Sequence, residues 1–249
     1  MTVDATRVRA VVLKEFRQYR RNKFILYTMV VMPIVFLFVP ISTILSLSSS
    51  LPESAVRGAV GSVFLLMFII PVVVPASIAA YSVIGEREQG TLEPVLTTPL
   101  SREEFVLGKA LATLLPGALL SYAVFIVVMA VLRTAAHPNV VHALWQVPWF
   151  VAELLFAPLL ATWSTWVGTA ISVRSSDVRV AQQLGTLASL PALGVTSLMT
   201  FQVLKPTVVV ALVVAAVLVV IDVGAWRVVS HLFDRERLIT GTAASRSVP

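Results

Sequence analysis

The chain carries thirteen acids, three histidines and no cysteine, few enough for each candidate to be weighed singly. The missing cysteine excludes disulfides, thiolate metal sites and cysteine nucleophiles. His137 and His142 stand five residues apart without a third ligand type near them, and His231 stands alone among basic residues. No metal site is expected from them. Gly108-Lys109 resembles the end of a phosphate loop, but Ala110 follows the lysine and Glu103 stands where the first glycine should be. The chain is not expected to hydrolyse ATP, and no catalytic residue or cofactor is assigned. Two acids, Glu153 and Asp222, fall inside long apolar runs. Five others, Glu86, Glu88, Glu93, Glu103 and Glu104, crowd into one short connection between two such runs.

The runs themselves set the setting. Of the 249 residues 57% are hydrophobic and 13% charged, with a mean hydropathy of +0.90. A soluble domain carries about 25% charged residues. Half that leaves too little polar surface for a globule in water, so the bilayer is the expected solvent. Apolar stretches of about 20 residues mark spanning helices. Six are expected: 24–45, 58–84 with Pro71 and Pro75 as kink points, 105–132, 149–173, 183–204 and 207–226. The fifth is the weakest, interrupted by Pro191 and Gly194. The first is not read as a signal peptide, because its apolar core is about 22 residues and a signal core is about 7–15.

Basic residues near the spans orient them. With the amino terminus inside, sixteen of the nineteen Lys and Arg fall on the inner side, leaving only Arg57, Arg133 and Lys205 outside. An even number of spans also returns the basic carboxyl tail to the cytoplasm. The expected division is an interfacial segment 1–23, a six-span domain 24–229 with its connection at 85–104, and a cytoplasmic tail 230–249. The basic flanks explain the net charge of +6 without nucleic acid.

Within spans, alternatives stay open. Asp222 is a functional candidate by its depth, or it snorkels or pairs with Arg227. Glu153, about one turn into the fourth span, is either structural or part of a pathway. Thr162, Ser164, Thr165, Gly168 and Thr169 form a small, hydroxylated surface, suited to close helix packing or to lining a path, for which Thr165 and Thr169 are the candidates. Trp145, Trp149 and Tyr122 are expected near the interfaces.

Before the first span, Val8, Val12, Phe16 and Tyr19 recur at helical spacing, while Arg7, Arg9, Lys14, Arg17, Arg20 and Arg21 crowd the other faces. This predicts an amphipathic helix on the inner interface among anionic headgroups. In the connection, Ser101 and Glu104 have capping-box spacing at the start of the third span. Upstream, Leu92, Val95 and Leu96 suit one apolar side of a short helix, with Glu86, Glu88 and Glu93 reaching into the cytoplasm.

From Glu86 to Lys109 the sequence reads E-R-E-x-G-T-L-E-x-x-L-x-T-P-x-S-R-x-E-x-x-x-G-K. This resembles the inner-loop signature of ABC type-2 exporter permeases. The likeness is specific over about 24 residues; elsewhere it covers the layout, including Ala181-Gln182-Gln183-Leu184-Gly185 before a proline-containing span. It implies an all-α membrane fold of six transmembrane helices, with an N-terminal interfacial helix and a short cytoplasmic coupling helix. It further implies that Glu86, Arg87, Glu88, Gly90, Thr91, Leu92 and Glu93 contact an ABC ATPase subunit, present in two copies. A second permease subunit, identical or related, would complete a dimer in the plasma membrane. Such a permease would export an amphipathic, drug-like or lipid-like substrate. One departure is plain: many members carry a re-entrant outer helix pair before the last span, and here only Lys205-Pro206 separates the fifth from the sixth. Either 183–204 is itself broken around Pro191 or that element is missing.

Two other classes would need different residues. An ion-coupled secondary transporter needs carboxylates or broken helices near the bilayer midplane, for which only Asp222 and Glu153 are available. An intramembrane enzyme needs a polar cluster at membrane depth, and none is visible.

Overall fold

The computed structural model describes residues 3–47, 52–88, 90 and 100–232. All regular structure among them is helical. The helices are α1 (Ala5–Tyr19), α2 (Lys23–Leu45), α3 (Glu53–Glu88), α4 (Arg102–Ala135), α5 (Pro138–Leu144), α6 (Val147–Arg174), α7 (Val178–Thr200) and α8 (Val208–Leu232). Five of them, α2, α3, α4, α6 and α8, are long and apolar enough to cross a membrane. The expected fifth span, α7, is long enough at 23 residues, but Gln182, Gln183, Thr186, Ser189, Thr196 and Ser197 dilute its apolar character. It is one continuous helix through Pro191, not a broken pair.

α3 is the hub. It packs on α6 and α7 most extensively, then on α4 and α2. Its apolar window is 72% buried inside the chain, against 22% for α2 and 28% for α8, which therefore turn most of their side chains outward. Where α3 meets its neighbours, the residues are small. A Cβ on Gly61 would come within 1.9 Å of the Thr200 carbonyl oxygen, and one on Gly117 within 2.3 Å of Pro75. Without a hydrophobic drive between helices in lipid, such close approach supplies the attraction as dispersion.

One turn beyond Gly61, α3 is also held by rings. Phe64 stacks on Trp149 of α6 at 4.4 Å and meets Phe125 of α4 at 6.2 Å. Trp149 is therefore a buried core residue, 1% exposed, and not an interfacial belt residue. Its position at the start of the expected fourth span suggests the interface. Facing Phe64 across the helix contact is what draws it inside. The stretch 133–146, read as a loop from sequence, contains α5, pinned by buried Val140 and Leu144 across the end of the bundle.

Candidate coupling site where α1, α3 and α4 meet

α1 begins at Asp4, whose carboxylate caps the helix by accepting from the Thr6 amide at 2.8 Å. Its buried stripe is Val8, Val11, Glu15 and Tyr19, a period of three to four residues with a carboxylate in the middle. This stripe lies along the first turns of α4 and fastens to it at four levels. The Asp4 amide donates to Glu104 Oε1 at 2.9 Å. One turn on, Gly108 faces Val11, and a Cβ there would come within 2.6 Å of the valine side chain. Glu15 Oε1 then accepts from Lys109 Nζ at 3.1 Å. Finally Tyr19 and Thr113 share a hydroxyl hydrogen bond at 3.4 Å. The contacts ascend together along both helices, so α1 and α4 run parallel.

α4 itself starts from the expected capping box. The Ser101 amide donates to Glu104 Oε2 at 2.8 Å, and the Glu104 amide donates to Ser101 Oγ at 3.1 Å. Glu104 thus serves the cap with one oxygen and the start of α1 with the other, with the Arg7 guanidinium 3.6 Å away.

Glu86, in the last turn of α3, joins this seam from the side. Lys109 Nζ lies 3.1 Å from Glu86 Oε2 as well as 3.1 Å from Glu15 Oε1. Lys14 forms ion pairs with both Glu86 and Glu15. Two cations and two anions make a neutral cluster. Glu15 (2%), Glu86 (3%) and Lys109 (2%) are almost completely shielded. Isolated charges could not be buried so deeply, and a complete set can. Burial by itself would raise the Glu15 carboxyl; Lys109 and Lys14, with their hydrogen bonds, outweigh it and hold the group below its ordinary range. Burial also pushes the Tyr19 phenol well above its usual value, and Glu15 pushes it the same way. Glu15 is thus ionised at neutral pH and Tyr19 stays a neutral hydroxyl.

The structure separates the expected contact residues. Glu86 does not reach into the cytoplasm: its carboxylate points into the cluster, where Lys14 and Lys109 would otherwise share the single counter-charge of Glu15. Arg87 and Glu88 complete α3. Gly90 follows with φ +64°, the left-handed conformation that glycine adopts just beyond a helix end. Thr91, Leu92 and Glu93, and the short helix expected around Leu92, Val95 and Leu96, lie outside the described residues.

Sequence reading missed two members of the cluster. Glu15 is the one acid of α1, and it continues the apolar stripe at four residues from both Val11 and Tyr19. Lys109 is a lysine two turns inside an apolar helix. Each calls for an opposite charge, which was the available signal.

The candidate pathway residues lie elsewhere. Thr165 (1%) and Thr169 (5%) are buried on α6, and Thr165 Oγ1 donates back to the Ala161 carbonyl at 2.8 Å. Between them Gly168 packs on Ala76 and Ala79 of α3. Glu153 is 1% exposed and bridges α6 to α4, its Oε1 accepting from Ser121 Oγ at 2.8 Å, while Oε2 has no hydrogen-bond partner. Asp222 is 6% exposed, and neither carboxylate oxygen has a hydrogen-bond partner. It does not pair with Arg227. Five residues carry the chain about 140° around a helix, which sends the arginine to the exposed face.

The profile of the ABC-2 type transporter family matches residues 6–208. The chain belongs to this family. No curated protein matches it. As an ABC-2 type permease it is a multi-pass membrane component of an ABC transporter, with a transport role and not a catalytic one. The matched stretch takes in nearly all of α1, so the helix that docks on α4 is part of the family domain.

Proposed function

We propose that this permease is the transmembrane subunit of an ATP-driven exporter, and that a separate ATPase subunit drives it by pressing on the connection between α3 and α4. The observation that carries this reading is the buried Glu15, Lys14, Glu86 and Lys109 cluster. It sits at the root of that connection and ties α3 to both α1 and α4. A push delivered at Arg87, Glu88, Gly90, Thr91, Leu92 or Glu93 would act on three helices as one body. Glu86 then has the role of anchoring the contact from within.

In this reading α7 is also a span, the fifth of six, packed against α3 and α6, which suits its polar composition. Six spans would return the carboxyl tail to the side of the amino terminus, and the sixteen-to-three bias of basic residues supports a cytoplasmic setting for that side. α1 then lies at the inner surface of the plasma membrane, its exposed arginines among anionic headgroups. Two permease subunits, identical or related, would enclose a central path, with two ATPase subunits beneath them. Nucleotide binding would shift the populations of inward- and outward-facing states. The scarcity of buried charge along the spans fits an amphipathic, drug-like or lipid-like substrate.

Photo-crosslinking from position 93 in native membranes tests this reading. An ATPase subunit captured there supports it; capture of lipid alone contradicts it. The unpartnered carboxylate of Asp222 favours a second reading, ion-coupled secondary transport. Asp222→Asn abolishing transport that proceeds without ATP would establish that alternative.

A further inference from the structure

At the opposite end of α3 from the charge cluster, a cavity of about 390 Å³ opens between α3 and α5. Glu53, Arg57, Asn139, His142 and Gln146 line it, over a floor of Val56 and Ala143. Glu53 and Arg57 are one turn apart on the same helix, yet they close no ion pair with each other. A second crevice of about 560 Å³ lies on the other flank of α5, and His142 lines both. There the Arg133 guanidinium lies over the Trp145 ring, 5.0 Å from its centre. Past Gln146, α6 turns Val147 (65% exposed) and Leu154 (62% exposed) outward as an apolar wall.

We propose that this cavity binds a zwitterion with a phosphate and a primary ammonium, the headgroup chemistry of a phosphoethanolamine lipid. Its size falls at the lower end of ordinary ligand pockets, about 300–1,000 Å³. Arg57 offers a planar fork that matches phosphate oxygens, and Glu53 offers a carboxylate to an ammonium. Side chains one turn apart on a helix stand about 5–6 Å apart at Cβ, a separation that a two-carbon link between phosphate and ammonium can match. A purely anionic ligand would meet Glu53, and a purely cationic one would meet Arg57. Only a ligand with both charges leaves neither opposed. Asn139, His142 and Gln146 add further hydrogen-bonding groups. The second crevice, with Arg133 and Trp145, accommodates the glycerol region, and the wall of Val147 and Leu154 suits an acyl chain.

With the amino terminus inside, this is the outer leaflet; the binding itself requires no ATPase subunit, so its failure would leave the exporter reading standing. The test uses the purified full chain in detergent, with native mass spectrometry of lipid retained after addition of phosphatidylethanolamine or phosphatidylglycerol. The expected result is about tenfold preference for phosphatidylethanolamine, from one charge-assisted contact. Glu53→Gln should erase the preference, and Arg57→Gln should weaken both lipids, each with an unchanged melting temperature. Glycerophosphoethanolamine, added as a chain-free competitor, separates the sources. Displacement at equal concentration identifies a soluble zwitterion as the ligand, and failure to displace identifies the lipid. Equal retention of both lipids by the unsubstituted chain, or retention unaltered in both variants, overturns the proposal.

Discussion

The two glutamates that bracket α3 live in opposite worlds. Glu53, in its first turn, is exposed and faces an open cavity beside an arginine it does not pair with. Glu86, in its last, is sealed among Lys14, Lys109 and Glu15 at 3% exposure. About 54 Å of helix separates the two ends. At the α1 end, charge is used up in assembling the protein. At the α5 end, aromatic and aliphatic packing does the assembling, through Phe64, Trp149, Val140 and Leu144, and the polar side chains are left over. Substitution of charge should therefore cost stability at one end and leave it unaltered at the other.

The largest effect is expected from Lys109→Met. It strands two buried carboxylates that share one remaining partly exposed lysine, and breaking a buried set by removing one partner costs about 3–5 kcal/mol. Thermal unfolding in detergent should show a large loss, and an unchanged melting temperature would mean the cluster does not hold the fold. Next comes Gly108→Val. The added side chain collides with Val11, and overpacking of this kind costs about 1–3 kcal/mol. Spin-label distances between α1 and α4 should lengthen. Ser101→Ala should cost about 1 kcal/mol through the lost cap. At the α5 end, Glu53→Gln should stay within about 0.5 kcal/mol of the unsubstituted chain. A large loss there would erase the contrast.

Acid should loosen α1 selectively. Glu15 is held below its ordinary range in the folded chain, so its contribution to docking is complete at neutral pH. It is lost only as the pH falls below the ordinary carboxylate value, about 4.3, and through the lower folded value. Protease accessibility of α1 should rise in that window. In Glu15→Gln the rise should not depend on Glu15, and an identical acid profile in that variant would show that another group controls docking.

Most of the helices were legible because apolar length is a direct physical requirement of a bilayer. Observed ends of α2, α4, α6 and α8 fall within a few residues of the expected runs, α8 extending further at its carboxyl end. α5 was not legible. Seven residues containing a proline, an asparagine and a histidine carry no periodic signal, and Val140 and Leu144 acquire meaning only against the end of the bundle. The Ser101 and Glu104 box was legible because capping is local. The charge cluster was not, since Glu15, Glu86 and Lys109 come from three helices, and only their docking brings them within 3.1 Å. Reading Glu86 as solvent-facing failed for the same reason. Pro191 suggested a break in α7, yet the helix continues, its flanks held by α3 and α6.

An exporter permease of this kind must receive an ATPase at the connection after α3. The direct measurement is a pull-down of the detergent-solubilised chain from its native membranes, followed by an ATPase assay, with the double variant Glu88→Lys and Glu93→Lys alongside. The account predicts that an ATPase co-purifies with the unsubstituted chain and is lost, or sharply weakened, in the double variant, which still inserts and melts normally. A chain that purifies alone, with transport indifferent to ATP, would contradict it.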